Sequence, residues 1–221
     1  MLRTLAQKVD PKHAAVLLVD VQNDFCAEGG ALHREGMDLS LVQAMIPRLE
    51  RFVEGARAAG TRCIWIRNVY NTAPNWYLSE VWLEQAERTR NGLYVEHPVC
   101  QAGEWNGDFY KIRPREDEAI VTKHRFGAFE STDLELVLRS QGIRTVIMTG
   151  IATNVCVETT ARQAFLKDFY VVFTSDCTAT YSQRAHDGAL ENIDHNFGQV
   201  VTSEEIAACW QPAAARLRVA T

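Results

Sequence analysis

Short apolar segments that alternate with amphipathic segments constrain the fold of this chain most strongly. Six apolar runs predict β-strands, and most of them are separated by stretches in which apolar residues return every three or four positions, as in helices. Strands that alternate with helices are typical of a parallel sheet covered on both faces. We therefore predict an α/β fold with three layers, αβα, and a six-stranded, mainly parallel sheet. The predicted strands cover residues 13–20, 61–67, 119–123, 143–149, 170–176 and 199–202, and the predicted helices cover residues 39–59, 75–90, 132–141, 154–167, 182–196 and 204–210.

Length, composition and net charge limit the number of domains and the kinds of partner that this chain can have. The 221 residues are 47% hydrophobic and 23% charged, which suffices for one sizeable core, so we expect a single domain over residues 1–221. The net charge of −5 argues against nucleic acid or an anionic membrane surface as a partner, because either would favour a basic face. A small-molecule substrate fits this composition better.

Localisation and cofactors follow from what the sequence lacks. No apolar run approaches the roughly 18 residues of a membrane span, and the first ten residues lack the apolar core of a signal peptide, so we expect a soluble, cytoplasmic protein. Six widely spaced cysteines contain no C-x-x-C pair and no Cys/His ligand cluster, which predicts free thiols and no structural metal. Dinucleotide, P-loop and G-x-S-x-G motifs are also absent, and we expect no cofactor.

A strand that runs directly into a helix carries the most reactive side chain. The segment Thr145–Thr160 is predicted to form this strand, turn and helix, with Cys156 in the first helical turn. Backbone N–H groups there lack intrahelical partners, and together with the helix dipole they favour a thiolate, which predicts a lowered pKa for Cys156. The alternative is an inert thiol in the core.

Three residues of complementary chemistry are predicted at one edge of the sheet. Asp20, Lys123 and Cys156 each lie at or just beyond the carboxyl end of a different predicted strand, and in a parallel sheet these ends share an edge. Separately, they could be a helix cap, a solvated lysine and a core thiol. Together they suit acyl transfer, in which a thiolate attacks a carbonyl, a carboxylate carries the proton and an ammonium stabilises charge. The backbone N–H groups of Ala152 and Cys156 are candidates for the oxyanion hole.

A long excursion from the regular pattern covers residues 68–115. It contains several tryptophans and tyrosines among glycines and prolines, a composition typical of segments that carry function. The aromatic side chains could instead pack the excursion against the domain or form a subunit interface. If the segment is functional, we expect it to cover a small pocket at the sheet edge.

Three sequence motifs resemble those of the isochorismatase-like cysteine hydrolases, in the same order along nearly the whole chain. They are Val19–Phe25, Lys123 and Gly150–Glu158, which reads GIATNVCVE. The resemblance implies a Cys/Asp/Lys triad with Cys156 as nucleophile, Asp20 as general base and acid, and Lys123 as electrostatic partner. It also implies a non-proline cis peptide bond just before Ala152, and a homodimer or homotetramer.

Within this family, the sequence is more similar to one branch than to another. The nicotinamidase branch carries an aspartate and histidine metal motif after the second strand, whereas here no histidine follows that strand until His97. The motif around Cys156, together with Asn68 and the stretch Gly103–Asn106, resembles the branch of ureidoacrylate amidohydrolase and the biuret and triuret hydrolases. Phe126 departs from the tyrosine that the ureidoacrylate enzyme has three residues after the lysine, so the identity of the substrate stays open.

We therefore expect a cofactor-independent cysteine amidohydrolase that cleaves a small ureide or amide through a thioester and releases ammonia or carbamate. Two alternatives are an isochorismatase-type vinyl ether hydrolase and a non-catalytic thiol redox sensor on the same fold. Amide side chains would hydrogen-bond the substrate, and aromatic side chains would exclude water. The candidate substrate-binding residues are Gln22, Phe25, Asn68, Tyr70, Trp76, Trp105 and Phe126.

Overall fold

A parallel sheet of six strands forms the centre of the molecule. A computed structural model describes residues 1–90 and 93–211 of the chain. The strand order is β3-β2-β1-β4-β5-β6, and every neighbouring pair is parallel. This sheet confirms the predicted α/β architecture. The strands are β1 (Ala14–Val19), β2 (Arg62–Asn68), β3 (Ala119–Lys123), β4 (Thr145–Ile151), β5 (Tyr170–Ala179) and β6 (Gln199–Val201).

Helices pack on both faces of this sheet, so the central strand β1 is buried on both of its faces. Val16 and Leu18 of β1 join a core formed with α4 and α9, whereas Leu17 and Val19 join a second core with α6, α7 and α8 on the other side. All six residues of β1 are buried, as expected for a central parallel strand. The helices are α1 (Leu5–Lys8), α2 (Asn23–Cys26), α3 (Ala31–Arg34), α4 (Ser40–Ala58), α5 (Glu80–Thr89), α6 (Leu134–Ser140), α7 (Glu158–Leu166), α8 (Gln183–Asn196) and α9 (Ser203–Trp210).

Two predicted helices begin later than expected. The predicted helix over 75–90 begins only at Glu80, because the side-chain oxygen of Asn75 accepts from two backbone N–H groups in a turn before it. The predicted helix over 132–141 begins only at Leu134. Between β1 and α4, the short helix α2 is held in place by the buried Asp24, whose two carboxylate oxygens accept backbone N–H groups.

The excursion over residues 68–115 packs as a small cluster against the sheet edge. Tyr70, Leu78, Leu93 and Val99 are buried together with Leu32 of α3, so part of its aromatic and apolar content serves packing. A single turn of 3-10 helix covers Trp105–Gly107.

Two predictions from the sequence concern the cysteines and membrane-spanning helices. None of the six cysteines forms a disulfide bond within the described residues, which confirms the prediction that the chain has no disulfide framework. No helix within residues 1–90 and 93–211 combines the length and apolar character needed to cross a membrane.

β1 and β4 approach each other most closely at Gly150. This residue pairs with Val19 and has a φ of 102°, and a Cβ atom built on it would overlap the Val19 carbonyl oxygen. A side chain would therefore meet both an unfavourable backbone conformation and a backbone clash. Gly150 sits directly before the turn that leads to Cys156, so the fit of these two strands positions that turn.

We predict that Gly150→Ala lowers the free energy of unfolding by at least about 2 kcal/mol, from backbone strain and overpacking together. Urea denaturation followed by circular dichroism measures the change. Gly142→Ala is the matched control, because Gly142 also has a positive φ of 67° but a Cβ there would have no atom within 4 Å. A Gly150→Ala protein no less stable than the Gly142→Ala protein would contradict this account.

Candidate active site

Asp20 and Lys123 form a buried ion pair at the carboxyl edge of the sheet. Asp20 follows β1 and Lys123 ends β3, and Lys123 Nζ lies 2.7 Å from Asp20 Oδ2. Their side chains are 1% and 0% exposed. The structure thus brings together two of the three residues that the strand ends predicted, although β2 lies between their strands in the sheet.

The backbone turns sharply at Asp20. Its N–H continues the ladder by donating to Ile66 O at 3.0 Å, its φ is 53°, and Gln22 N donates back to Asp20 O at 2.8 Å. Aspartate tolerates this left-handed conformation better than most residues with a side chain. The turn leaves the carboxylate beyond the end of β1, facing Lys123.

Asn68, at the end of β2, binds the lysine of the ion pair. In the amide orientation that satisfies both its oxygen and its nitrogen, Oδ1 accepts from Lys123 Nζ at 2.7 Å and from Tyr70 Oη at 2.9 Å, while Nδ2 donates to Lys123 O at 3.2 Å. The opposite orientation leaves a 3.3 Å contact from Nδ2 to Asp20 Oδ2. We adopt the first orientation because it uses every polar atom of the amide group.

Lys123 has a hydrogen-bond acceptor for each of its three ammonium protons. Besides Asp20 and Asn68, Nζ donates to Arg125 O at 3.0 Å. Burial is the largest single influence on Lys123 and lowers its pKa, but Asp20 and Cys156 together outweigh burial and hold the pKa above its ordinary value. Lys123 is therefore a fixed positive charge, whose protons are already committed to acceptors.

Cys156 lies in a π-helical turn, Thr153–Val157, which joins β4 to α7. Its side chain is 7% exposed and interacts with both Asp20 and Lys123. Burial raises the pKa of the Cys156 thiol, and Lys123 opposes this rise only in part. The lowered pKa that we predicted from a helix N-terminus is therefore wrong, because removing the thiolate from water outweighs the local backbone dipoles. The sulfur carries its proton at rest.

Asp20 can receive that proton. Its Oδ1 is buried and accepts no hydrogen bond from the described residues, whereas Oδ2 is held by Lys123. Burial raises the pKa of Asp20 above its ordinary value, with Lys123 opposing the rise. A buried carboxylate with a raised pKa and one free oxygen next to a thiol is suited to act as a general base.

The peptide bond between Ile151 and Ala152 is cis, as the resemblance implied. The Ala152 carbonyl oxygen accepts from Val155 N at 3.0 Å and from Val157 N at 3.2 Å, which holds the turn around Cys156. The Ala152 N–H makes no hydrogen bond with the rest of the described chain. Ala152 and Cys156 line the same cavity, so this donor has no acceptor within the described chain and is a candidate to bind a ligand there.

A cavity of about 70 Å³ contains the sulfur. Asp20, Ala152 and Cys156 form part of its wall, and most of the remaining wall is apolar or aromatic. Such a volume suits a small substrate from which water is largely excluded. The aromatic part of the wall includes Phe25, Tyr94, Phe126 and Tyr181.

Two of the seven candidate substrate-binding residues, Phe25 and Phe126, line the cavity. The other five are not part of its wall, and Asn68 is among them, bound to Lys123. Gln22 lies behind the cavity, where its side chain binds both the N–H and the carbonyl of Asn68. Tyr70 is buried beneath the excursion, with its ring 5.0 Å from that of Tyr94.

The two tryptophans among the candidates do not reach the cavity. Trp76 is 73% exposed, in the turn before α5, and Trp105 is 55% exposed, in the short 3-10 turn. The carbonyl oxygen of Trp105 accepts from Asn23 Nδ2 at 2.6 Å, so its backbone, rather than its ring, secures the loop. Aromatic character alone therefore did not distinguish cavity residues from surface residues.

Sequence reasoning also missed residues of the cavity wall. Tyr181 follows β5 by two positions, so the strand-end rule that selected Asp20 could have selected it. Leu93 and Tyr94 lie in the irregular part of the excursion, where no periodicity indicates which side chains point inward. Arg90 was expected to end the predicted helix over 75–90, but it follows the end of α5 and lines the cavity. Within residues 1–90 and 93–211, no group of three or more His, Cys, Asp or Glu side chains is placed to hold a metal ion.

Comparisons with known proteins agree with this geometry. Residues 14–205 match the isochorismatase domain family. The chain is 34% identical over 203 residues to the ureidoacrylate amidohydrolase RutB of Enterobacter sp. (strain 638), covering 87% of this chain and 86% of that protein.

Solved structures share the fold. An isochorismatase-like hydrolase from Alkaliphilus metalliredigens superimposes with a TM-score of 0.71 at 28% identity, covering 90% of this chain and 99% of that one. A cysteine hydrolase from Pseudomonas syringae pv. phaseolicola 1448A has a TM-score of 0.74 at 24% identity and covers 95% and 96% of the two chains. Since the family match includes every strand of the sheet and all three residues of the buried cluster, the chain belongs to the isochorismatase family.

Proposed function

We propose that this protein is a cysteine amidohydrolase that cleaves a C–N bond of a small ureide or amide. The observation that carries the proposal is the shared cavity edge at which Cys156 meets Asp20, a buried base held by Lys123 at 2.7 Å. The similarity to proteins named ureidoacrylate amidohydrolase supports a ureido or amide substrate.

The first half-reaction would begin from a neutral thiol. Because burial raises the pKa of Cys156, the sulfur must lose its proton as it attacks the substrate carbonyl carbon, and Oδ1 of Asp20 accepts that proton. The new S–C bond gives a tetrahedral adduct. When the C–N bond breaks, Asp20 returns the proton to the leaving nitrogen, which departs as ammonia or an amine, and a thioester remains on Cys156.

In the second half-reaction, water replaces the leaving nitrogen. Asp20, again a carboxylate, takes a proton from water as the oxygen attacks the thioester carbon. Breakage of the C–S bond then returns that proton to sulfur and releases the acid, which is a carbamate if the substrate carbonyl belonged to a terminal ureido group. The enzyme returns to its starting protonation state, with no external acid or base consumed.

Two fixed groups would stabilise the charges that develop. The unused Ala152 N–H, with the N–H of Cys156, can donate to the oxyanion of each tetrahedral adduct. A donor of this kind typically contributes about 3 kcal/mol to barrier reduction. Lys123, whose protons are committed, keeps Asp20 oriented and offsets the negative charge that passes between sulfur and carboxylate.

Removal of the nucleophile gives the most direct mutational test. We predict that Cys156→Ala lowers the rate of ammonia or carbamate release by at least about 10³-fold, because no thioester can form. The assay is mass spectrometry of products from a panel of biuret, triuret, ureidoacrylate, N-carbamoyl amino acids and simple amides.

Cys209→Ala is a suitable control for loss of a thiol, because Cys209 is only half-buried, in α9, and does not line the cavity. This variant should retain wild-type turnover. If Cys156→Ala kept full activity while Asp20→Asn lost it, the chemistry would be that of a vinyl ether type of hydrolase, in which the carboxylate alone acts. That result would contradict the proposal.

The pH dependence of kcat/KM tests the role of Asp20. Only the deprotonated carboxylate can accept the thiol proton, so activity should fall as pH decreases through the pKa of Asp20. Burial raises that pKa, so the acidic limb should lie above the ordinary aspartate value of 3.8. Measurement of kcat/KM across the range in which the fold is stable would locate this limb. A limb at or below 3.8 would exclude the raised Asp20 as the base.

A further inference from the structure

Among the described residues, Arg90 is the one cationic side chain that lines the catalytic cavity. Arg90 follows α5 directly, and its side chain forms part of the cavity wall. Its Nη1 is buried and meets no hydrogen-bond acceptor among the described residues. Guanidinium groups in such positions normally donate to a carboxylate, a carbonyl or water, so this donor is available to a ligand.

The charge of Arg90 is not balanced by the rest of the cavity wall. Asp20 is the one carboxylate among the described residues that line the cavity, and Lys123 already neutralises it at 2.7 Å. Cys156 is a neutral thiol at rest because burial raises its pKa. The cavity therefore presents one net positive charge within a largely apolar wall, where an opposite charge on a ligand would be stabilising.

Two tyrosines share the cavity wall with Arg90 and Cys156. Tyr94 and Tyr181 line the same cavity of about 70 Å³ as the arginine and the reacting cysteine. The four side chains therefore border one small space, in which a single ligand can contact both Arg90 and Cys156.

We infer that Arg90 binds a carboxylate of the substrate, and thereby selects ureido or carbamoyl acids over neutral ureides of similar size. The inference rests on the proposed amidohydrolase function, of which it narrows the substrate class. A planar guanidinium matches the two oxygens of a carboxylate. A substrate with its carbonyl at Cys156 and its carboxylate at Arg90 would place its apolar connecting atoms between the aromatic walls.

A neutral substrate would leave this site incomplete. It would occupy the cavity while the buried Nη1 of Arg90 stayed without an acceptor. A site with a buried donor strongly disfavours an analogue that cannot pair with that donor. Arg90 is thus a specificity-determining residue, whose removal should affect acids far more than neutral analogues.

A pair of ligands that differ only in charge tests this inference without turnover. N-carbamoyl-β-alanine and its primary amide have the same skeleton, and isothermal titration calorimetry on the Cys156→Ser protein gives their Kd values. We expect the acid to bind about 10- to 100-fold more tightly than the amide, as for a hydrogen bond to a charged group. Arg90→Gln should remove this preference and leave the Kd of the amide nearly unchanged.

Arg88→Gln provides a matched control, since Arg88 lies two positions earlier, is 63% exposed and pairs with Glu84. It removes the same formal charge from the surface and should preserve the preference for the acid. Arg90→Lys keeps the positive charge but not the planar guanidinium, so this variant should keep part of the preference for the acid. It serves as the second variant if Arg90→Gln does not fold. Equal Kd values for acid and amide, no binding of the acid, or a preference that survives both substitutions at Arg90 would overturn the inference.

Failure of the proposed amidohydrolase function would give a different result from failure of the inference about Arg90. Wild-type protein that turned over no member of the amide panel would contradict the amidohydrolase proposal, whereas the binding preference would still report on Arg90. In a functional enzyme, kcat/KM for the acid should fall in Arg90→Gln by about the same factor as its binding, and kcat/KM for the amide should not. Equal losses for both substrates would also overturn the inference.

Discussion

The buried contact between Lys123 and Asp20 is the interaction on which the site depends. Lys123 ends β3 and Asp20 follows β1, two strands that do not pair with each other, and Asn68 at the end of the intervening β2 accepts a hydrogen bond from Lys123. A buried ion pair is tolerated when its geometry is good and its remaining polar atoms are bonded. Here Lys123 holds Oδ2 of Asp20, whereas Oδ1 has no hydrogen-bond partner among the described residues, so one carboxylate oxygen is available as a base.

Burial has two opposite effects on the chemistry. It raises the pKa of Cys156 and so suppresses the resting thiolate, and it also raises the pKa of Asp20, which makes the carboxylate a better proton acceptor. The nucleophile is therefore formed only as the proton moves. In our proposal, a thiol that is inert at rest becomes reactive when a substrate carbonyl and the Ala152 N–H complete the site.

The strand-end rule predicted the convergence of Asp20, Lys123 and Cys156 from sequence, because the alternation of strands and helices implies parallel strands, whose carboxyl ends share one edge of the sheet. It did not predict the pKa of Cys156, because burial is a property of the assembled structure and the helix terminus is a local one. It also could not separate Phe126, which lines the cavity, from Trp76, which lies on the surface. Arg90 was expected to end a helix, and only the folded chain shows that it follows α5 and lines the cavity.

The most direct test of the claim that Cys156 is the nucleophile is to quench the reaction during its first turnover and to analyse the protein by mass spectrometry, first intact and then after digestion. If Cys156 is the nucleophile, a covalent acyl or carbamoyl adduct should appear on the peptide that contains Cys156 before product accumulates at its steady rate. It should be absent from the Asp20→Asn protein, which lacks the base. Product that forms at the wild-type rate, with no adduct on Cys156 at any time resolved, would contradict the account.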